Sequence, residues 1–304
     1  MPVAHLQPKE FIRAAAPGTI AYSQTQAAEY TRWLARHHYE NFHVASILLP
    51  KALHQDFYNV YAFCRWADDL GDEIGDPEES LRLLAWWRDE LQSMYTGHAS
   101  HPVFVALKDT VERHDIPIEP FDRLIRAFEQ DQVVTRYETF EDVFGYCVYS
   151  ANPVGHLVLY LCGFRDAERQ HLSDYTCTAL QLANLWQDVT IDLEKNRIYL
   201  PLALLRKHGY TEADLFAHTF DRRFELILRE AVDVAEDLFR KGLPLIETVD
   251  RRLALDLELF SRGGMKILEK IRMQGYNVLA SRPYISKAER VAILIRCLPR
   301  LLPF

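Results

Sequence analysis

Residues 61–72 read Tyr-Ala-Phe-Cys-Arg-Trp-Ala-Asp-Asp-Leu-Gly-Asp. At about 100° per residue, Arg65, Asp68, Asp69 and Asp72 fall on one side of a helix. The residues around them (Phe57, Val60, Tyr61, Phe63, Cys64, Trp66) offer no solvent face, and a helix apolar on nearly every side is normally buried. Three carboxylates on such a helix repel one another and lose hydration, so the fold must bring them a counter-charge. One arginine does not suffice. A divalent cation does, and oxygen-only ligands suit magnesium or manganese. Taken alone, the stretch also reads as a helix end carrying solvated acids.

A second stretch repeats the arrangement. In residues 181–192, Gln181, Asn184, Asp188 and Asp192 step by three, four and four and so line one helical face. Leu182, Trp186, Val189 and Leu193 line another, suited to a core. Asp68/Asp72 and Asp188/Asp192 share the i, i+4 spacing. The expectation is a pair of Asp-rich helices that face each other across a cavity and form a metal cage, the second one running over 173–194. Lys195 and Arg197 follow as basic neighbours of the acids.

No alternating strand pattern persists, and Gly 12 and Pro 14 are low counts for 304 residues, so the chain reads as all-α. A hydrophobic content of 49% supports a large core. Residues 1–22 carry Pro2, Pro8, Pro17 and Gly18 and read as a loose arm; 23–304 reads as one domain. The net charge of −8 argues against a nucleic-acid partner. Metals can still reverse the sign locally for an anionic substrate. Cys64, Cys147, Cys162, Cys177 and Cys297 form no C-x-x-C pair, which reads as reduced, buried thiols in the cytoplasm. No signal peptide and no spanning helix are expected. The tail 286–304 is apolar, with Lys287, Arg290, Arg296 and Arg300 against Glu289. It reads equally as packing on the body or as a peripheral membrane contact.

Local punctuation places other features. Asp76-Pro77 and Thr139 with Asp142 are helix starts. His37 and His38 are adjacent and point to different helix faces, so diphosphate contact or packing is a better reading than a shared metal. Pro153 sits inside an apolar helical pattern and should kink or break it. Ser150, Ala151 and Gly155 beside it allow either a pocket or tight packing. Gly263-Gly264 inside a helix implies a close contact or a bend.

The chain resembles the squalene/phytoene synthase family of head-to-head prenyl synthases over about residues 30–285. The resemblance rests on Tyr61-Ala62-Phe63-Cys64-Arg65-x-x-Asp68-Asp69-x-x-Asp72, on Tyr146-Cys147 with Val154-Gly155, and on Gln181-Leu182-Ala183-Asn184-x-x-x-Asp188-x-x-x-Asp192 followed by Arg197-Ile198-Tyr199-Leu200-Pro201. It implies an all-α isoprenoid synthase fold with a central cavity for prenyl diphosphates. It also implies magnesium, or manganese, held by Asp68, Asp72, Asp188, Asp192 and Asn184. Arg65, Arg197, Gln181, Asn184 and Asn41 would contact diphosphate, and Tyr146 would stand near the departing group and the carbocation. Asn41-Phe42, Ser150 through Gly155, and Trp186-Gln187-Asp188 are most similar to the bacterial hopanoid-pathway branch. That branch includes conversion of presqualene diphosphate to hydroxysqualene, or to squalene. Gln187 stands where the family often has arginine, and Asn152 where it often has a small residue. Both suit a substrate with one diphosphate and a water-quenched cation, without NADPH; no G-x-G-x-x-G turn follows a strand.

Ionisation chemistry fits these residues. Metal and arginine neutralise charge on the leaving diphosphate, and the cation needs a dry, aromatic-lined pocket. Phe63, Tyr146, Tyr149 and Tyr160 are candidates for that lining. Synthesis of presqualene diphosphate or phytoene from two prenyl diphosphates, farnesyl diphosphate among them, is the alternative reaction. A non-catalytic prenyl-lipid-binding scaffold is the alternative from another class.

Overall fold

The computed structural model describes residues 6–14, 22–37 and 50–301. Among them the chain is all-α, with no strand beyond one bridge pair, Arg136 and Ile198. By its contacts the chain divides into two compact units, Met1–Val133 with His156–Arg165, and Val134–Gly155 with Asp166–Phe304.

The first unit holds α1 (Pro8–Ala14), α2 (Gln24–His37), α3 (His54–Asp72), α4 (Pro77–Tyr95), α5 (Pro102–His114) and α6 (Glu119–Gln130). Helix α3 carries the first acidic motif and packs against all five of the others, as its apolar circumference requires. Trp66 lies flat on Trp87, with ring centres 5.1 Å apart and 9° between planes. Phe63 meets Phe104 and Phe121 edge-on at 6.0 and 4.9 Å. Phe63 is therefore a core residue and not the lining of a reaction pocket. His101 fills the same cluster, 4.4 Å from the Trp66 ring, and its Nδ1 accepts from the Val103 amide at the start of α5. Burial pushes its pKa down to about 3, so the ring is neutral. Over Pro8–Ala14 the stretch read as a loose arm is helical. Phe11 gives the reason, inserting 5.3 Å from Trp66 and 4.9 Å from His101. Tyr30 Oη donates to the Leu6 carbonyl at 3.1 Å. A buried polar relay aligns α2, α3 and α5: Thr31 Oγ1 donates to Asn59, whose amide donates to Ala106 O and Thr110 Oγ1.

The second unit holds α7 (Phe140–Ser150), the start of α8 (Asn152–Leu161), α9 (Ala167–Gln187), α10 (Val189–Glu194), α11 (Leu202–Lys207), α12 (Glu212–Phe216), α13 (Arg222–Gly242), α14 (Arg251–Met273) and α15 (Lys287–Cys297). From His156 onward α8 groups with the first unit. Helix α9 carries the second acidic motif and packs along α13 and α14. Leu182, Trp186, Val189 and Leu193 are buried as their spacing predicts, and Trp186 Nε1 donates to the Ala231 carbonyl at 3.0 Å. Thr139 and Asp142 form the expected reciprocal cap of α7.

Pro153 acts as a break. Helix α7 ends at Ser150, Ala151 takes φ −124° and ψ −49°, and a new helix begins at Asn152. The small residues there serve tight packing: a Cβ on Gly155 would stand 2.2 Å from Ser173 Oγ and 2.6 Å from Cys177 Sγ. Gly264 likewise allows the Phe239 ring to approach to 2.3 Å of where its Cβ would be, whereas Gly263 has no such neighbour. Asp256 on α14 is 2% exposed, and neither of its carboxylate oxygens is hydrogen-bonded. Burial, reinforced by Asp250, raises its pKa to about 8. Among the described residues no helix is long and apolar enough to cross a membrane. All five cysteines are free thiols.

Candidate active site

In the first unit the last two turns of α3 hold the acids. Arg65 reaches back across one helical turn, its Nη1 lying 3.3 Å from Asp68 Oδ2 and its Nη2 pairing with Asp69. Asp69 is buried and takes most of the guanidinium, while Asp68 is 42% exposed and Asp72 is half-buried. The internal counter-charge thus settles the acid that most needs it, and Asp68 and Asp72 keep access to solvent. Desolvation pushes Tyr61 and Cys64 up to about 12, so both remain neutral beside the acids. Asn41, with His38 and Tyr39, lies outside the described residues.

The second motif departs from the continuous helix expected over 173–194. Helix α9 ends at Gln187, and Asp188 has ψ 15°, far from the α-helical value near −42°. The register survives the interruption: Asp188 N donates to Asn184 O, and Asp192 N to Asp188 O, both at 2.9 Å. Asp188 and Asp192 are half-buried, Gln181 is half-buried and Asn184 is exposed.

The charge beside Asp188 also differs from expectation. Gln187 suggested a local deficit of positive charge. The structure supplies a guanidinium from 94 residues away, Arg282, whose Nε and Nη2 both pair with the Asp188 carboxylate. Gln187 itself is buried and donates to the Pro283 carbonyl at 2.6 Å. These two contacts fasten the segment leading into α15 onto the second motif.

After Asp192 the chain turns sharply. Asn196 adopts the left-handed φ of 56°, and Arg197 N returns to the Asp192 carbonyl at 2.9 Å. Arg136 fixes this turn by donating to the backbone and side-chain oxygens of Asn196 at 2.5 and 2.9 Å. The chain then runs beside 135–138: Ile198 N donates to Thr135 O, and Leu202 N to Tyr137 O. This pairing assembles three rings, with Tyr146 5.6 Å from Tyr137 and 5.4 Å from Tyr199, and Tyr137 stacked on Tyr199 at 5.4 Å. A small cleft in this unit is lined by Val189, Asp192, Arg197 and Tyr199, among others. Tyr146 is thus part of a buried cluster of three rings. Tyr149 and Tyr160 are half-buried. Asn152 is buried, and its Oδ1 accepts from Thr178 Oγ1 at 2.9 Å.

Within neither unit do three His, Cys, Asp or Glu side chains of the described residues close on a common point. Guanidinium groups stand against Asp69 and Asp188. The donors themselves are carboxylates and an amide, the hard oxygen set that fits magnesium or manganese. Sequence reasoning missed Arg282, Arg136, Tyr137 and Tyr199. The run Arg136-Tyr137-Glu138 read only as the lead-in to a capped helix. Arg282 carried no local signal, because its role depends on a contact across most of the unit.

Comparison with known proteins adds four findings. The family model for squalene/phytoene synthases matches residues 35–289. The chain is 32% identical over 261 residues to a phytoene synthase of Thermus thermophilus, covering 85% of this chain and 88% of that one. It is 28% identical to a 15-cis-phytoene synthase of Synechococcus elongatus, covering 89% of this chain and 92% of the relative. Among solved structures, the squalene synthase HpnC from Alicyclobacillus acidocaldarius superposes with a TM-score of 0.80 at 45% identity, over 84% of this chain and 96% of that one.

Proposed function

The chain belongs to the squalene/phytoene synthase family, and we propose that within it the enzyme ionises presqualene diphosphate and captures the cation with water to give hydroxysqualene. Its relatives are prenyltransferase-type enzymes acting on prenyl diphosphates, so a purely structural scaffold role is set aside. The observation that carries the choice of branch is the 45% identity to a squalene synthase, against 32% to a phytoene synthase.

In this reading Asp68 and Asp72 of the first motif and Asp188 and Asp192 of the second, with Asn184, would hold magnesium. When bound it supplies Lewis-acid neutralisation of the diphosphate as the carbon–oxygen bond breaks. Arg65, Arg197, Gln181 and Asn41 steady that group. The bond electrons leave with the diphosphate, and Tyr146, backed by Tyr137 and Tyr199, offers ring faces to the cyclopropylcarbinyl cation that remains and to the allylic cation it rearranges to. Water adds through oxygen and loses one proton, so alcohol and diphosphate form with no change in oxidation state. Asn152, held by Thr178, is the amide this reading assigns to orient that water. A peripheral membrane location through 286–304 belongs to the same reading.

A second reading is favoured by Arg282. Its guanidinium beside Asp188 restores positive charge suited to a second diphosphate, as condensation of two farnesyl or longer prenyl diphosphates to presqualene diphosphate or phytoene requires. Incubating the enzyme and magnesium with presqualene diphosphate, with and without NADPH, and identifying products by mass spectrometry separates the two. A C30 alcohol formed equally in both conditions is expected. Squalene formed only with NADPH overturns water capture. Untouched presqualene diphosphate alongside consumption of farnesyl or geranylgeranyl diphosphate establishes the second reading.

A further inference from the structure

Helix α15 presents its apolar side to water. Val291 is 55%, Ile295 59% and Leu298 41% exposed, and Tyr284 in the lead-in is 67% exposed. At about 100° per residue, Val291, Ile295 and Leu298, with Ala288, Ala292 and the half-buried Leu294, occupy a continuous arc of roughly 160°. Arg290 and Arg296 border the arc on its two sides, and Lys287 lies within its first turn. All three cations are exposed. The opposite side of the helix is the one tied to the protein: Cys297 is 1% exposed, and Glu289 pairs with Lys270 at 2.9 Å and caps the helix through Ser286.

This is the reverse of an ordinary surface helix, whose apolar stripe faces the core. The helix start is specified by a reciprocal Ser286–Glu289 cap, and the segment before it is fastened by Gln187 to Pro283 and by Arg282 to Asp188. The exposed stripe is therefore held on an anchored element.

We propose that α15, through Tyr284, Val291, Ile295 and Leu298 flanked by Lys287, Arg290 and Arg296, docks the enzyme on an anionic lipid surface. The cations border the apolar arc at the positions from which long side chains reach headgroup phosphates while the arc enters the acyl boundary. They do so in a chain of net charge −8, which anionic lipid otherwise repels, so the local sign is what selects the surface. A second copy is a poor occupant. A two-fold contact would place the same patch on both sides and set Arg290 and Arg296 against their own kind. The proposal stands on α15 alone and is independent of which reaction the enzyme catalyses.

The test is co-sedimentation of the full chain with phosphatidylglycerol vesicles and with phosphatidylcholine vesicles, without substrate. The expected result is binding to the anionic vesicles, lost as salt is raised. Each basic residue near such a surface contributes about 1 kcal/mol, or roughly fivefold in partition. Arg290→Glu with Arg296→Glu should therefore lower binding at least about tenfold, while Arg290→Lys with Arg296→Lys retains it. Ile295→Glu should lower it comparably without a shift in Tm, since the side chain is exposed. Full-length protein that stays in the supernatant at low salt overturns the proposal. So does a dimer in sedimentation velocity that Ile295→Glu dissociates, which would assign the stripe to a contact between copies.

Discussion

Asp256 and the aspartates of the two motifs answer desolvation by different means. Three motif acids are met by guanidinium groups: Arg65 for Asp69 and Asp68, Arg282 for Asp188. Asp256 has no hydrogen-bond partner, and its carboxyl answers desolvation by holding its proton up to about pH 8. An unfolded aspartate titrates near 3.9, so the folded state binds the proton more tightly. Its contribution to stability is full below about pH 4 and is lost as pH rises through about 8, with a slope of at most ~1.4 kcal/mol per pH unit. Asp256→Asn removes the titration. Urea unfolding at pH 5 and pH 8 should show the wild type weakening over that interval more than the variant. The motif acids are tested by activity. Asp68→Asn and Asp188→Asn keep size and helix and remove the charge, and each is expected to reduce diphosphate release on the order of 10²-fold or more. Near-normal turnover in a variant with unchanged circular dichroism would remove that aspartate from the site.

At the scale of elements, what could be read beforehand followed from local rules. Caps at Asp76 and Thr139 set helix starts close to those observed, and the apolar circumference of α3 foretold its central place in the first unit. Pro153 ended a helix where a missing amide must. Its small neighbours were ambiguous in sequence, since room for a cavity and room for a helix need the same residues. Gly155 resolves this in favour of contact with α9. Gly155→Ala places a methyl against Ser173 and Cys177 and should cost about 1–3 kcal/mol, read as a lower Tm. Ser173→Ala in the same chain should recover part of the loss, because it removes the nearer obstacle. The break of α9 at Asp188 was invisible to periodicity, because the residues on either side keep the helical hydrogen bonds and therefore the spacing.

At the scale of the molecule, fold class was legible because helices announce themselves locally. Membership of the family was legible because both acidic motifs survive intact. The constellation around the second motif was legible only in part. Asp188 and Asp192 stood out by type and spacing, and Arg197 and Tyr146 through the family resemblance, whereas the contacts of Tyr137, Tyr199, Arg136 and Arg282 became visible only when distant segments met. The pairing of Arg282 with Asp188 spans 94 residues, and that separation has a temporal side. A chain emerging from the ribosome exposes its second acidic motif well before the residue that neutralises it has been made. Until Arg282 has been made, Asp188 at the end of α9 lacks this guanidinium and the segment ahead of α15 is not yet fastened. The assembly of this half of the enzyme thereby waits for Arg282 to be made, since long-range closure comes after local helices have formed. The charge balance of the second motif and the anchorage of α15 are thereby completed together.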